Sequence, residues 1–152
     1  MINVYLVGVD HRIQWIPDSP SLEWEIVILD FIKFINEKCN LLGIDLIAEE
    51  FSEHVIELNH AQDSTARHTA REIGIPHLFS DPNPHERQEL GIKNNADREK
   101  EWLRRIINSG NSRILFICGD DHLESFKSLL NSAGHNAEIL ASNWGKGWEL
   151  IN

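Results

Sequence analysis

Two segments far apart in the chain read alike: Gly8-Val9-Asp10-His11 and Gly119-Asp120-Asp121-His122. Each follows four apolar residues, Val4-Tyr5-Leu6-Val7 in the first case and Leu115-Phe116-Ile117-Cys118 in the second. Histidine can ligate a metal or carry a proton near neutral pH. A glycine at a strand end lets another group approach the backbone closely. A third segment, residues 44–51 (IDLIAEEF), ends in two consecutive acids, Glu49 and Glu50. Acids are costly to bury unpaired, so two at the end of a central strand ask for a functional explanation. The alternative is that the strand has left the sheet and both are solvated. Successive residues of a strand face opposite ways, so only one of the pair can enter a given cleft.

Two imidazoles and a carboxylate suit two chemistries. They form a facial set for a divalent cation such as Mn²⁺, Zn²⁺ or Co²⁺ with positions left for water, drawn from His11, His122, Glu50 and Glu49. They also form a metal-free acid/base cluster that activates water. Asp121 and Glu124 have the spacing of a capping box, which puts His122 in a first helical turn. There the helix dipole disfavours imidazolium and leaves the neutral ring that a ligand or a base requires. On the plainer reading Asp121 is only a cap and His122 an exposed first-turn residue.

The elements that must position these groups follow from the hydrophobic period. Strands are expected at 3–9, 44–51, 75–80, 113–118 and 137–141. A long helix is expected to start at Ser19-Pro20, as N-cap and first helical residue, and to stop at Gly43. Leu22, Ile26, Leu29 and Ile32 add a second apolar flank to it and predict broad burial. Further helices are expected at 64–73, 96–109 and 122–133, with a short turn of helix before Leu90. On the second of these, Trp102, Leu103, Ile106 and Ile107 form the inner face. Strands alternating with helices predict one α/β domain over 1–152, three-layered, with a mostly parallel sheet of about five strands and helices on both faces. In such a sheet ligands bind beyond the carboxyl ends of the strands, where His11, Glu50 and His122 fall. Trp144 and Trp148, in the 143–152 tail, are expected to pack on the domain or to make a homodimer contact.

Composition narrows the function classes. The 24 acidic residues outnumber the 14 basic ones, for a net charge of −10. That field repels phosphate backbones and anionic lipid, so neither nucleic acid nor a membrane is an expected partner. Arg98, Lys100, Arg104 and Arg105 are interleaved with Glu99 and Glu101 and read as a solvated helix face. Charges break every apolar stretch of membrane-spanning length, and no basic leader precedes the first strand. Cys39 and Cys118 sit in apolar segments without metal-type spacing, as buried thiols of a reducing, cytoplasmic compartment do. No P-loop, dinucleotide fingerprint or nucleophile elbow is present.

The two G-x-x-H strand ends, the strand running into Glu50-Phe51, and the segment ICGDDHLESFKSLLNSAG together resemble the Tiki/TraB-like superfamily, which includes erythromycin-esterase-like and ChaN-like proteins. Arg98 matches an arginine that opens the helix before the last motif in that family. The resemblance implies hydrolysis of a peptide or ester bond in a small molecule or peptide, with or without a metal, and a charge-stabilising role for Arg98. A non-catalytic module holding a small ligand or a protein in the same cleft is the alternative. Asp81 reads as a turn residue before Pro82 as readily as a site residue. Arg67, Arg71 and Arg87 read as solvated. His54, His60, His77, His85 and His135 have no partner at ligand spacing and read as surface or satisfied residues.

Overall fold

The computed structural model describes residues 1–145. The aliphatic run near the N-terminus forms β1 (Asn3–Val9), apolar on both sides because it is covered on both faces and flanked by strands at both edges. A 3-10 turn (His11–Gln14) follows, capped by the Asp10 side chain, which accepts from the Arg12 amide. Next come β2 (Trp15–Ile16), α1 (Leu22–Leu42), β3 (Leu46–Glu49), α2 (Glu53–Leu58), β4 (Asp63–Ser64), α3 (Thr65–Ile73) and β5 (His77–Phe79). The chain continues through α4 (Pro84–Leu90), α5 (Asn95–Asn108), β6 (Arg113–Gly119), a 3-10 turn (Asp120–His122), α6 (Leu123–Ser132) and β7 (Asn136–Trp144).

Five strands form one parallel sheet in the order β5-β3-β6-β1-β7, while β2 and β4 pair separately and antiparallel. From β1 the chain passes through α1 to β3, leaving a gap that β6 later fills. From β6 it passes through α6 to β7 on the far side of β1. The two crossovers diverge, and this opens a crevice above the carboxyl ends of β3, β6 and β1. On one face Val7, Val9, Ile47, Leu115 and Ile117 pack on Phe31 and Ile35 of α1 and Ala66 and Ala70 of α3. On the other, Leu6, Ala48, Phe116 and Cys118 pack on Trp102 and Ile106 of α5 and Phe126 and Leu130 of α6. Each large side chain so enclosed contributes on the order of 1.5–3 kcal/mol. The three-layer α/β architecture is as expected.

Local expectations fared unevenly. Gly43 and Gly74 end α1 and α3 in the left-handed conformation, as C-cap glycines do. The N-cap of α1 is Ser21, whose hydroxyl accepts from Trp24, and not Ser19. Leu22, Ile26 and Leu29 lie 70%, 53% and 57% exposed, because α1 is an outer layer and none of the described elements packs on its far side. Ile107 points outward for the same reason, while Trp102 and Ile106 are fully buried. Trp144 ends β7 and rests on Phe34 and Phe31, ring centroids 4.5 and 5.8 Å away, so it packs on the domain. Trp148 lies outside the described residues. Both cysteines are buried and free. Among the described residues no helix is long and apolar enough to cross a membrane.

Candidate active site

The two G-x-D-H strand ends meet because β1 and β6 are neighbours, with Gly8 opposite Cys118 and Val9 opposite Gly119. Each glycine makes room for the other motif. A Cβ on Gly119 would stand 2.8 Å from His11 Nε2, and one on Gly8 would collide with Asp120 and with Leu123 Cδ1.

Glu50 is the centre of the site. It lies 5% exposed just past β3, held by its own amide, which donates to the Ile117 carbonyl at 2.8 Å. One carboxylate oxygen, Oε1, accepts from the Gly119 amide at 2.9 Å and has His11 Nε2 at 3.6 Å. The other, Oε2, accepts from Arg98 at 2.5 Å and has His122 Nε2 at 3.3 Å. Burial works to raise the Glu50 carboxyl. The hydrogen bond from His122, the charges of His11 and His122, and the Gly119 amide overcome it and hold the group down from 4.5 to about 2.

Each imidazole is also gripped from behind. His122 Nδ1 lies 2.8 Å from Glu99 Oε2, and a carboxylate can only accept, so Nδ1 carries the proton and Nε2 faces Glu50. Burial lowers the His122 imidazolium, but Glu50 and Glu99 on its two sides outweigh that, and the net shift is upward. The shift runs opposite to the one expected from the helix dipole, because two carboxylates flank the ring. The expected capping box is absent too. Asp120–His122 forms a 3-10 turn, α6 has His122 at its N-cap without a side-chain cap bond, and Asp121 and Glu124 are exposed.

His11 is half exposed, with Nδ1 2.5 Å from Gln14 Oε1. Gln14 is fully buried and bonds Glu49 Oε1 at 3.1 Å and the Glu50 carbonyl at 3.3 Å. Glu49 therefore does not reach the crevice beside Glu50. It is fully buried on the opposite side, where Ser64 Oγ and His77 Nε2 both lie 2.5 Å from Oε2. The alternation of adjacent strand residues separates the two acids as expected.

Arg98 and Glu99 turn inward from the face read as solvated. Besides Glu50, Arg98 binds Asp81 Oδ1 at 3.0 Å and Asn95 Oδ1 at 3.0 Å. Burial lowers its guanidinium, and the bonds and charges of Asp81 and Glu50 more than restore it, for a net upward shift. Asp81 is buried and also accepts from Trp102 Nε1 at 2.9 Å and Arg87 at 2.7 Å, so it belongs to the site and Arg87 is not simply solvated. Arg67 and Arg71 likewise pair with Asp63, at 2.6 and 2.8 Å, away from the site.

Above these groups opens a pocket of about 190 Å³ lined by His11, Trp15, Glu50, Phe51, Val55, Asp81 and Arg98. Trp15 and Phe51 stack at 6.1 Å to make its apolar wall. His122 is not among its lining residues. A wider groove of about 540 Å³ along α1 has no comparable convergence of titratable groups.

The donor set does not fit a divalent cation as it stands. Among the described residues no group of three or more His, Cys, Asp and Glu side chains is arranged to hold a metal ion. The charges account for this: the Arg98 guanidinium already neutralises Glu50, and Glu49 is spent elsewhere. Gln14, Glu99, His77 and Asp81 are the members sequence reasoning missed or set aside. Only Asp81, at a strand end, carried a signal. Neither family models, curated proteins nor solved structures gave a match to this chain.

Proposed function

We propose that the chain is a small hydrolase of ester or peptide bonds that activates water without a metal. One observation carries this reading: the half-exposed His11 imidazole and the guanidinium of Arg98 line one small pocket, and both lie beside Glu50. The resemblance of the strand-end motifs to the Tiki/TraB-like superfamily points the same way.

In this reading His11 Nε2 takes a proton from water as the water oxygen attacks the carbonyl carbon. Negative charge develops on the carbonyl oxygen. A guanidinium has five N–H donors, of which the bonds to Asp81, Asn95 and Glu50 use three. The two left over are available to the oxyanion. As the carbon–heteroatom bond breaks, His11 returns the proton to the leaving group. Glu50 orients both groups and is itself too weak a base, at about 2, to do the work of His11. His122 and Glu99 hold Glu50 from below. The pocket is smaller than the ~300 Å³ at which sites for drug-sized ligands begin, which favours compact acyl groups.

The test is a panel of p-nitrophenyl esters and short chromogenic peptides, assayed for wild type and His11→Ala, with and without chelator. The reading expects turnover by wild type, its loss in the variant, and no effect of the chelator. Wild-type rates equal to those of His11→Ala across the panel would leave a ligand-binding module as the better account.

A further inference from the structure

We infer that Gln14 is a positioning residue that locks His11 in the Nδ1–H tautomer, so that the nitrogen facing the pocket is the one with the free lone pair. The inference deepens the hydrolase reading but rests on hydrogen-bond chemistry that holds whether or not the site turns over a substrate.

A neutral imidazole has one N–H donor and one acceptor nitrogen, and the bond made by one nitrogen sets the state of the other. His11 Nδ1 lies 2.5 Å from Gln14 Oε1. A side-chain amide can be turned end for end, so its direction has to be argued. Here the far end of the amide decides it. It sits 3.1 Å from Glu49 Oε1 and 3.3 Å from the Glu50 carbonyl oxygen. A carbonyl can only accept, and so can an ionised carboxylate. Were the amide flipped, its oxygen would face both of them, two acceptor–acceptor contacts in a fully buried place. The NH₂ must therefore point at Glu49 and Glu50, and the oxygen must point at His11. That oxygen accepts, so Nδ1 must donate. The lone pair is left on Nε2, 3.6 Å from Glu50 Oε1 and at the pocket wall.

Glu49 is what makes the lock firm. Its second oxygen is held by the Ser64 hydroxyl, itself the N-cap of α3, and by His77 on β5. Glu49 thus acts on His11 through Gln14 alone, which gives a role to the acid that does not enter the crevice. At His122 the part that Gln14 plays for His11 falls to Glu99, which accepts from Nδ1. Both rings consequently present Nε2 to Glu50.

Long-range ¹H–¹⁵N correlation spectra of the imidazoles test this directly, with His11 assigned by its absence from the spectrum of His11→Asn. In wild type, at a pH where His11 is neutral, Nδ1 is expected to be the protonated nitrogen and Nε2 the bare one. Gln14→Met keeps the bulk and removes all three bonds, and should release the ring to a mixture containing the Nε2–H form. Gln14→Glu retains an acceptor for Nδ1–H, with its own carboxyl proton taking the place of the amide donor toward Glu49, and should keep the wild-type tautomer. With an active substrate, Gln14→Met should lower kcat on the order of 100-fold with a smaller change in KM. An Nε2–H ring in wild type overturns the inference even if neither variant folds, and so does an unchanged tautomer in Gln14→Met. Correct tautomers in a protein silent on every substrate would instead sink the hydrolase reading and leave the lock intact.

Discussion

His11 Nε2 occupies space that a side chain at Gly119 would need: a Cβ there would stand 2.8 Å away. The imidazole of one motif is seated against the glycine of the other. Gly119→Ala is therefore expected to push His11 away from Glu50 and to lower activity more than stability. Gly8→Ala should be the reverse. Its Cβ meets Leu123 and Asp120 under the first turn of α6, and overpacking of this kind costs roughly 1–3 kcal/mol. Urea denaturation and initial rates on the two variants separate the effects. Equal losses in both quantities for both variants would contradict the reciprocal seating.

Arg98 is the resident cation of the site. Removing its charge in Arg98→Met leaves Glu50 and Asp81 short of a partner in a buried place, which should cost on the order of 3 kcal/mol. Arg98→Lys should recover little, because one ammonium cannot span Glu50, Asp81 and Asn95 from a planar fork. The metal question has a matching test. Mn²⁺, Zn²⁺ or Co²⁺ should leave the wild-type Tm unchanged and should raise that of Arg98→Met, where Glu50 and the two imidazoles are freed. A wild-type Tm that rises with metal and falls with chelator would restore the cation reading.

What could be read ahead of the structure follows a physical line. β1, β6 and the glycine stops at Gly43 and Gly74 are local: a β-branched run and a left-handed residue declare themselves within a few positions. So did the meeting of His11, Glu50 and His122, because strand ends of a parallel sheet share an edge. Glu99 and His77 are legible only through pairings across the fold, to His122 and to Glu49 respectively, and so is the bond that turns the Gln14 amide, to Glu49. Gln14 does stand three residues from His11, but that spacing alone does not say which end of its amide faces the ring. The outward turn of Leu22, Ile26 and Leu29 was equally hidden, since an apolar flank does not say whether another layer lies over it.

Two opposed titrations give the fold a definite pH signature. Glu50 is depressed, so its contribution is present above its ordinary value of 4.5 and fades as pH falls through about 2. That contribution is on the order of 3 kcal/mol near neutral pH. The stability gap between wild type and Glu50→Gln should therefore narrow steadily below pH 4.5. His122 is shifted the other way. Its contribution is whole below its ordinary value of 6.5 and is lost as pH rises through the higher folded value. His122→Gln should remove that alkaline decline from a plot of denaturation midpoint against pH. An identical slope in the variant above pH 6.5 would place the imidazolium elsewhere.

On the hydrolase reading, substrate size is limited by Trp15 and Phe51, whose rings stack within 9° of parallel to wall a pocket of about 190 Å³. Short acyl esters such as acetate and butyrate should be turned over faster than octanoate, because a long chain has no enclosed surface to bury. Trp15 is only partly buried and lies on the two-residue strand β2, so its truncation to alanine should cost little stability while opening the wall. Phe51 is 4% exposed and also meets Phe79 at 6.4 Å, so Phe51→Ala should cost about 3 kcal/mol or more. Trp15→Ala is the cleaner probe: kcat/KM for octanoate should rise relative to acetate by roughly tenfold, the 1.4 kcal/mol expected from a couple of newly sheltered methylenes. A ratio that does not move would mean the acyl group binds away from this wall, and would leave His11 and Arg98 without the pocket that joins them.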